Sequence, residues 1–194
     1  MKSNNFFIIF VFVILFSCSN VDDNIYISST YNILPDGTGY EISELSFKNQ
    51  SDSSLTNYIF GSTSDSSIVK LMDMNDNELE FSIEPDSEYF NYNVLFPYPI
   101  APDQEIIIKA FSPKQQFAKL NNGTWIFEDK RTFGPTIIYT PTIQLPKNSE
   151  VIYTNIKPIK EHIEYNSLVL EFNKKVPKNE YFTLKIKYKF SARK

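Results

Sequence analysis

An alternation of apolar and polar residues with a period of two is the feature that most constrains this fold. It is clearest between Tyr181 and Phe190, where five apolar residues alternate with polar ones, three of them lysines. Successive side chains of a β-strand point to opposite faces, so such a segment has one buried and one solvated face. The lysine face is interpreted either as a basic stripe for anionic groups or as a solvated face that protects a sheet edge.

The same signal recurs along the chain and predicts about a dozen strands. The predicted strands are 25–33, 40–47, 55–60, 68–74, 79–83, 89–96, 105–111, 124–127, 136–145, 151–155, 167–172 and 181–190. Pro35-Asp36-Gly37 predicts a turn, and the segment from Pro97 to Pro102 predicts a corner. The apolar parity switches between Ile42 and Leu45, which predicts a β-bulge near Glu44 or a strand buried on both faces.

The composition favours strands over helices. The chain has 17 Phe and 12 Tyr but only 5 Gly, and its 11 prolines interrupt any long helix. No segment after the first twenty residues shows a convincing apolar stripe of helical period. We therefore predict an all-β fold, a two-layer antiparallel β-sandwich, with a single barrel as the alternative architecture.

Charge is distributed unevenly between the two halves of the chain. Residues 19–110 contain three Lys and sixteen acidic residues, whereas residues 111–194 contain fifteen basic and seven acidic ones. Either two subdomains of opposite charge meet near residue 112, or strands of both halves interleave in one sandwich that spans residues 25–194. The second is favoured because no flexible linker joins the halves. The acidic overall balance also argues against a nucleic-acid partner.

The first eighteen residues have the layout of an export signal. Met1 and Lys2 precede an unbroken apolar run of eleven residues, Phe6 to Phe16, and Ser17 then precedes Cys18. As a helix this run would reach about 17 Å at about 1.5 Å per residue, which is short of a hydrocarbon core of about 30 Å. A cleaved signal peptide over residues 1–17 is the prediction, with an ordinary signal peptide or an uncleaved anchor as the alternatives.

Leu15-Phe16-Ser17-Cys18 resembles the lipobox of bacterial lipoproteins. The resemblance implies cleavage before Cys18, lipidation of its thiol with fatty acyl chains such as palmitate, and a location in the bacterial cell envelope, anchored at the outer membrane. Cys18 is the only cysteine, which leaves no thiol for a disulfide or a thiolate metal site. Residues 18–24 are then an acidic tether.

Aromatic residues suggest one candidate ligand surface. Tyr92, Tyr98 and Trp125 are predicted to contribute to a platform for sugar rings or to a groove for an extended peptide. Packing in the core would explain alternate aromatic residues of these predicted strands equally well.

A second candidate is a metal site. From Asp73 as the first position, side-chain oxygens follow at Asn75 and Asn77 and a glutamate at Glu84, which is the ligand spacing of a calcium loop. Glu78 replaces the glycine that such a loop requires. The alternative is a hairpin whose asparagines adopt the left-handed conformation.

Any chemistry that uses an imidazole must involve His162, because it is the only histidine. On a strand it would share a face with Glu164, where the two could bind zinc or exchange a proton. A solvated imidazole is the alternative, and no nucleophile elbow is present. A pair of carboxylates could still serve a glycosidase, although nothing in the sequence singles out a pair.

These observations lead to a functional expectation. The chain is expected to be a lipid-anchored envelope module that presents a β-sandwich surface to a protein or a glycan, without a cofactor and without enzymatic activity. A surface hydrolase acting on glycans is the alternative.

Overall fold

The computed structural model describes residues 10–12, 25–63, 68–85 and 89–190. Sixteen strands lie in these ranges, and no helix does. The strands are β1 (Phe10–Phe12), β2 (Ile25–Ile33), β3 (Thr38–Lys48), β4 (Leu55–Thr63), β5 (Lys70–Met72), β6 (Glu80–Pro85), β7 (Tyr89–Ile100), β8 (Glu105–Gln116), β9 (Ala118–Asn121), β10 (Thr124–Phe133), β11 (Ile137–Leu145), β12 (Ser149–Thr154), β13 (Lys160–Glu164), β14 (Ser167–Glu171), β15 (Lys174–Val176) and β16 (Tyr181–Phe190). The prediction of an all-β fold is confirmed. Within the described ranges, no helix is long and apolar enough to cross a bilayer.

The largest layer is an eight-stranded sheet. Its strand order is β13-β14-β11-β2-β3-β8-β5, and β15 also pairs with β11. Most neighbours are antiparallel, but β2 and β11 are parallel in the register Ile27↔Tyr139. Strands of the basic half (β11, β13, β14 and β15) and strands of the acidic half (β2, β3, β5 and the first half of β8) therefore form two adjacent blocks of one sheet, which meet at the β2–β11 pair instead of interleaving.

Two smaller sheets pack against the inner face of the large one. The five-stranded sheet has the order β1-β10-β16-β12, with β9 also paired to β10, and the three-stranded sheet has the order β4-β7-β6. Phe47 of the large sheet packs on Tyr58 of the three-stranded sheet, with ring centroids 4.5 Å apart. The core between the layers is apolar and aromatic, as the period-two pattern predicts.

The alternation in β16 is confirmed, but its interpretation as an edge strand is wrong. Phe182, Leu184, Ile186 and Tyr188 are all buried. The strand lies between β10 and β12 and pairs with both, so its lysines do not protect an edge. Lys185 instead lies 3.9 Å from Glu128 of the neighbouring strand.

The predicted bulge near Glu44 is wrong. Strand β3 keeps a regular alternation in which Glu41, Ser43 and Leu45 all face inward, and Ile42 faces outward. The register shift against β8 lies at Gly39–Glu41. The apolar residues of β3 change parity because Glu41 and Ser43, which are polar, occupy two of its inward positions.

Two connections also differ from the predictions. The hairpin given as the alternative to the calcium loop does not form a ladder, since β5 pairs with β8 and β6 pairs with β7, and one isolated bridge joins Met72 to Glu78 just before β6. The predicted corner from Pro97 begins late, because β7 continues to Ile100 at the cost of a register shift against β4. Prolines are tolerated there because ladder hydrogen bonds are already interrupted.

Candidate functional site

A cluster of charged and hydroxyl side chains lies in the core between the eight-stranded and five-stranded sheets. Arg131, at its centre, has a fully buried side chain. The cluster contains Ser29 and Tyr31 of β2, Glu41 and Ser43 of β3, Asp129 and Arg131 of β10, and Tyr139 of β11. Four strands from two layers thus contribute to one polar network.

Arg131 connects the two layers. Its guanidinium donates from Nε to Asp129 at 3.0 Å and from Nη2 to Glu41 and to the hydroxyl of Tyr31. It also lies 5.3 Å from the ring centroid of Tyr139. Burial pulls the pKa of Arg131 down, but the attraction of Asp129 and Glu41 outweighs it and holds that pKa above its usual value.

The remaining members of the network form hydrogen bonds with the carboxyl groups and with each other. The hydroxyl of Tyr139 donates to Asp129 Oδ2 at 2.8 Å, and that of Ser43 donates to Glu41 Oε1 at 2.6 Å. Burial raises the pKa of both tyrosines, and Arg131 offsets part of the rise. Among the described residues, Glu41 Oε2 has no hydrogen-bond partner.

The buried carboxyl groups do not form a hydrolase site. Glu41 and Asp129 are 1% and 4% exposed, with Arg131 between them. A recess next to the network is lined by Ser43, Glu44 and apolar side chains, has room for about one water molecule, and contains one carboxylate. A glycosidase needs two carboxyl groups that reach a bound sugar ring, so these groups give that alternative no support.

The three predicted ligand-binding aromatics do not form one surface. Tyr92 is 2% exposed and stacks on Phe60 in the core, with centroids 5.2 Å apart, so it has no face to offer a ligand. Tyr98, on the same strand, is 78% exposed. Trp125 is half-buried on β10, in the other small sheet, where it stacks on Tyr188 at 6.5 Å.

Three of the four predicted calcium ligands lie in a loop whose backbone N–H groups are bound by Asp73. Its Oδ1 accepts the backbone N–H groups of Asn75 and Asn77 at 2.8 and 2.9 Å, and its Oδ2 accepts the side-chain amide of Asn77. Asp76 adopts the left-handed conformation and binds Lys109 at 2.7 Å. Glu84 lies on β6, outside this loop. These contacts suit a tight turn better than a calcium loop, because N–H donors occupy the carboxylate that calcium would need. The left-handed residue of the turn is Asp76 and not an asparagine.

His162 lies on β13 between two carboxylates. Its Nε2 is 3.4 Å from Glu164 and its Nδ1 is 3.7 Å from Glu171. Within the described ranges, no group of three or more His, Cys, Asp or Glu side chains is placed to hold a metal ion. Cys18, the predicted lipidation site, lies outside the described residues.

An exposed hairpin at one end of the large sheet was not predicted from the sequence. Strand β13 pairs with β14 along one side, and the described part of the chain contains no strand on its other side. Ile159, Ile163 and Tyr165 are exposed there, Ile163 by 70% and Tyr165 by 93%. A period-two apolar pattern does not identify this strand, because Glu161-His162-Ile163-Glu164 contains only one apolar residue.

The comparisons with known proteins do not assign a family. No family model matches the chain, and no curated protein does. Two crystal structures of an M1 zinc metallopeptidase from Deinococcus radiodurans, one of them of a mutant, have a TM-score of 0.49 and 9% identity to this chain. The match covers 84% of this chain and 41% of that one, so the chain spans less than half the length of the proteins it resembles. A likeness of this size carries no argument about catalysis.

Proposed function

We propose that the chain is a lipid-anchored module of a bacterial envelope that binds another envelope protein through the β13–β14 hairpin. The anchoring part is supported by the sequence: a positive start, a short apolar run and the lipobox-like Leu15-Phe16-Ser17-Cys18. Acyl chains on Cys18 would hold the folded domain at the membrane, since two such chains suffice for stable attachment.

The exposed hairpin is the observation that carries the binding part. Tyr165 and Asn166 both have positive φ and form a two-residue turn between Glu164 and Ser167, which fixes the hairpin's shape. A single edge strand with several exposed apolar side chains is unfavourable in water and invites pairing with another chain. A partner strand would satisfy the outer backbone groups of β13 and cover Ile159 and Ile163.

Charged residues lie on the strand next to these apolar residues. Lys160 lies 3.2 Å from Glu171, and His162 lies 3.4 Å from Glu164, on the face of β13 opposite Ile163. An edge strand with an apolar side chain on one face and charges of both signs on the other suits a protein partner. A glycan would be expected to select flat aromatic faces flanked by hydrogen-bonding groups instead.

Anchoring is tested on the protein isolated from a bacterium that processes lipoproteins. We expect mass spectrometry to find an acylated Cys18 as the first residue, and we expect the protein in the membrane fraction. Cys18→Ser should block processing and leave the unmodified precursor. An N-terminus that still begins with Met1 in the wild-type protein contradicts the proposal.

Binding is tested by chemical cross-linking and pull-down of the lipoprotein from detergent-solubilised envelopes. An Ile163→Ser/Tyr165→Ser variant should recover the cross-linked partner at least tenfold less efficiently, a loss of about 1.4 kcal/mol. Tyr98→Ser is the matched control, because Tyr98 is also a highly exposed tyrosine but lies on another sheet. Equal recovery with the hairpin variant and the control would refute the hairpin as the binding surface.

A further inference from the structure

A second candidate surface lies where the apolar leader meets the folded domain. Strand β1, which belongs to the predicted signal peptide, pairs in parallel with the end of β10 in the register Val11↔Thr132. It also lies beside β4 of the three-stranded sheet. Strand β1 thus occupies a slot between the edge of β10 and β4.

The edge of β10 in this slot depends on β1 for its pairing. Strand β9 covers β10 only from Thr124 to Phe127. Among the described residues, β1 alone extends that side of β10, from Arg131 to Phe133. Removal of residues 1–17 would therefore expose an unpaired strand edge.

The backbone groups that would become free can be assigned to Thr132. The carbonyl of Phe133 accepts the N–H of Asn179 at 2.9 Å, and Asn179 lies just before β16, on the other side of β10. Backbone groups of successive strand residues point to opposite sides. The N–H and C=O of Thr132 therefore point into the slot, where they face Val11 and its neighbours.

We propose that, in the exported protein, this slot binds an extended apolar segment of a partner protein, which adds to β10 as a parallel strand. The inference rests on the proposed function, because the slot opens only when the leader is removed. The unpaired N–H and C=O of Thr132 require a polypeptide, since an acyl chain offers neither donor nor acceptor. The strand that occupies the slot, β1, has the apolar sequence Phe-Val-Phe.

Two further observations define the occupant. Tyr181 is opposite Thr132 in the β10–β16 ladder and is 80% exposed, so it offers an aromatic contact on the outer face beside the slot. A second processed copy no longer carries Phe10–Phe12 and can offer only its acidic tether at that end. The occupant is thus expected to come from a different protein.

The probe is a fluorescent peptide of residues 8–13 with lysines added at both ends for solubility, and binding is followed by anisotropy. The protein is the processed lipoprotein in detergent, with Cys18 verified as its first residue. We expect saturable binding. The unprocessed Cys18→Ser precursor should bind at least tenfold more weakly, because its own leader fills the slot.

Thr132→Pro removes the Thr132 N–H that points into the slot and spares the ladder to β16, so the fold should be retained. We expect it to weaken binding about tenfold or more. Thr132→Val keeps the backbone donor and should bind like the wild type. In the peptide, N-methylation of Phe12 should abolish binding because the Phe12 N–H faces the carbonyl of Thr132, whereas N-methylation of Val11 should not.

Binding that survives both Thr132→Pro and N-methylation of Phe12 would be apolar adsorption and would overturn the proposal, as would the absence of saturable binding. Self-association of the processed protein that Thr132→Pro abolishes would assign the slot to a second copy and would also overturn it. These failures differ from that of the proposed function, which is a native N-terminus that retains Met1.

Discussion

Arg131 joins the two layers through buried ion pairs and hydrogen bonds. It lies in the core between Asp129 of its own strand and Glu41 of the opposite sheet. Burying an ion pair costs several kcal/mol of desolvation per charge, which the attraction between the partners and their hydrogen bonds must offset. Such a cluster specifies which strands face each other more than it adds to stability.

Arg131→Met tests this view. The variant leaves the carboxyl groups of Glu41 and Asp129 in the core without a cation. We expect the free energy of unfolding, measured by urea denaturation, to fall by about 3–5 kcal/mol.

The control replaces all three charged residues, as Arg131→Met/Glu41→Leu/Asp129→Leu. Tyr31 and Tyr139, whose hydroxyl oxygens are 3.3 Å apart, and Ser29 and Ser43, at 2.8 Å, can still pair with each other. We expect the triple variant to recover most of the lost stability. A single variant within about 1 kcal/mol of the wild type, or a triple variant no better than the single one, would contradict this account of the cluster.

Two glycines with positive φ allow the cost of backbone strain to be measured separately from the cost of a steric clash. Gly37 and Gly123 have φ of 78° and 74°. A Cβ at Gly37 would lie within 2.6 Å of Ala118 O, Trp125 Cζ3 and Gln116 Nε2, whereas one at Gly123 would meet nothing within 4 Å. We expect Gly123→Ala to cost about 1 kcal/mol and Gly37→Ala about 3 kcal/mol or more, since a clash is added. Thermal and urea unfolding measure both, and equal costs would show that the contacts around Gly37 are loose.

At the scale of the element, the sequence predicts strands well where inward positions are apolar. Strand β16 has the predicted bounds, and β2, β11 and β14 differ by a residue at most. Strand β10 extends six residues beyond its predicted end at Phe127, because Asp129 and Arg131 face the core. The same network puts Glu41 and Ser43 on the inner face of β3. Period-two analysis cannot place such strands, since their polar inward residues have partners on other strands.

The candidate surfaces were harder to predict than the strands. Of the features that form them, only the apolar leader was inferred from the sequence. Strand β13 carries exposed charged residues on both faces, and β9 and β15 are only four and three residues long. Exposure of a strand edge depends on which strands are neighbours, and this is a property of the assembled sheet.

The loop between β5 and β6 yields a prediction about acid and calcium. The side-chain hydrogen bond from Asn77, together with backbone N–H groups of Asn77 and Asn75, lowers the pKa of Asp73 below its usual value. Because the pKa of Asp73 is lower in the folded chain than in the unfolded chain, its ionised carboxylate stabilises the fold at any pH above the unfolded-state pKa. This stabilisation is lost as the pH falls through the folded-state pKa. We expect Asp73→Ala to cost at most about 1 kcal/mol near neutral pH, because the group is exposed.

The cost of Asp73→Ala should shrink as the pH falls below about 4, where the wild type loses the same stabilisation. Urea unfolding of both proteins near pH 6 and near pH 3 measures it. Millimolar calcium should leave the melting temperature of the wild type unchanged, because N–H donors already occupy the carboxylate. A rise in melting temperature with calcium that Asp73→Ala removes would instead support the calcium loop.

At the scale of the whole molecule, strand order is what the sequence leaves open. Strand β2 lies between β3, its neighbour along the chain, and β11, more than a hundred residues away. Hydrophobic periodicity identifies strands but contains no information about which distant strand pairs with which. The all-β class follows from composition, whereas the parallel β2–β11 pair and the division into three sheets do not.

The β2–β11 pair and the buried network at Arg131 predict how the molecule unfolds. The network at Arg131 joins Glu41 of the acidic half to Asp129 and Tyr139 of the basic half, and β2 has its ladder partners in both halves. Neither half can satisfy the edges of its own strands alone, so we expect the full chain to unfold in one cooperative transition. Fluorescence of the single tryptophan, Trp125, and far-ultraviolet circular dichroism should then give the same midpoint in urea.

Fragments divided near residue 112 provide the complementary measurement. If the halves were separate subdomains, each fragment would give dispersed amide resonances by itself. We expect each to remain unfolded, because the first would lack the partner strand β11 for β2 and the second would lack β2 for β11. Mixing the two fragments should restore the native spectrum. Two separate transitions in the intact chain, or independent folding of either fragment, would show that the halves of opposite charge form two subdomains.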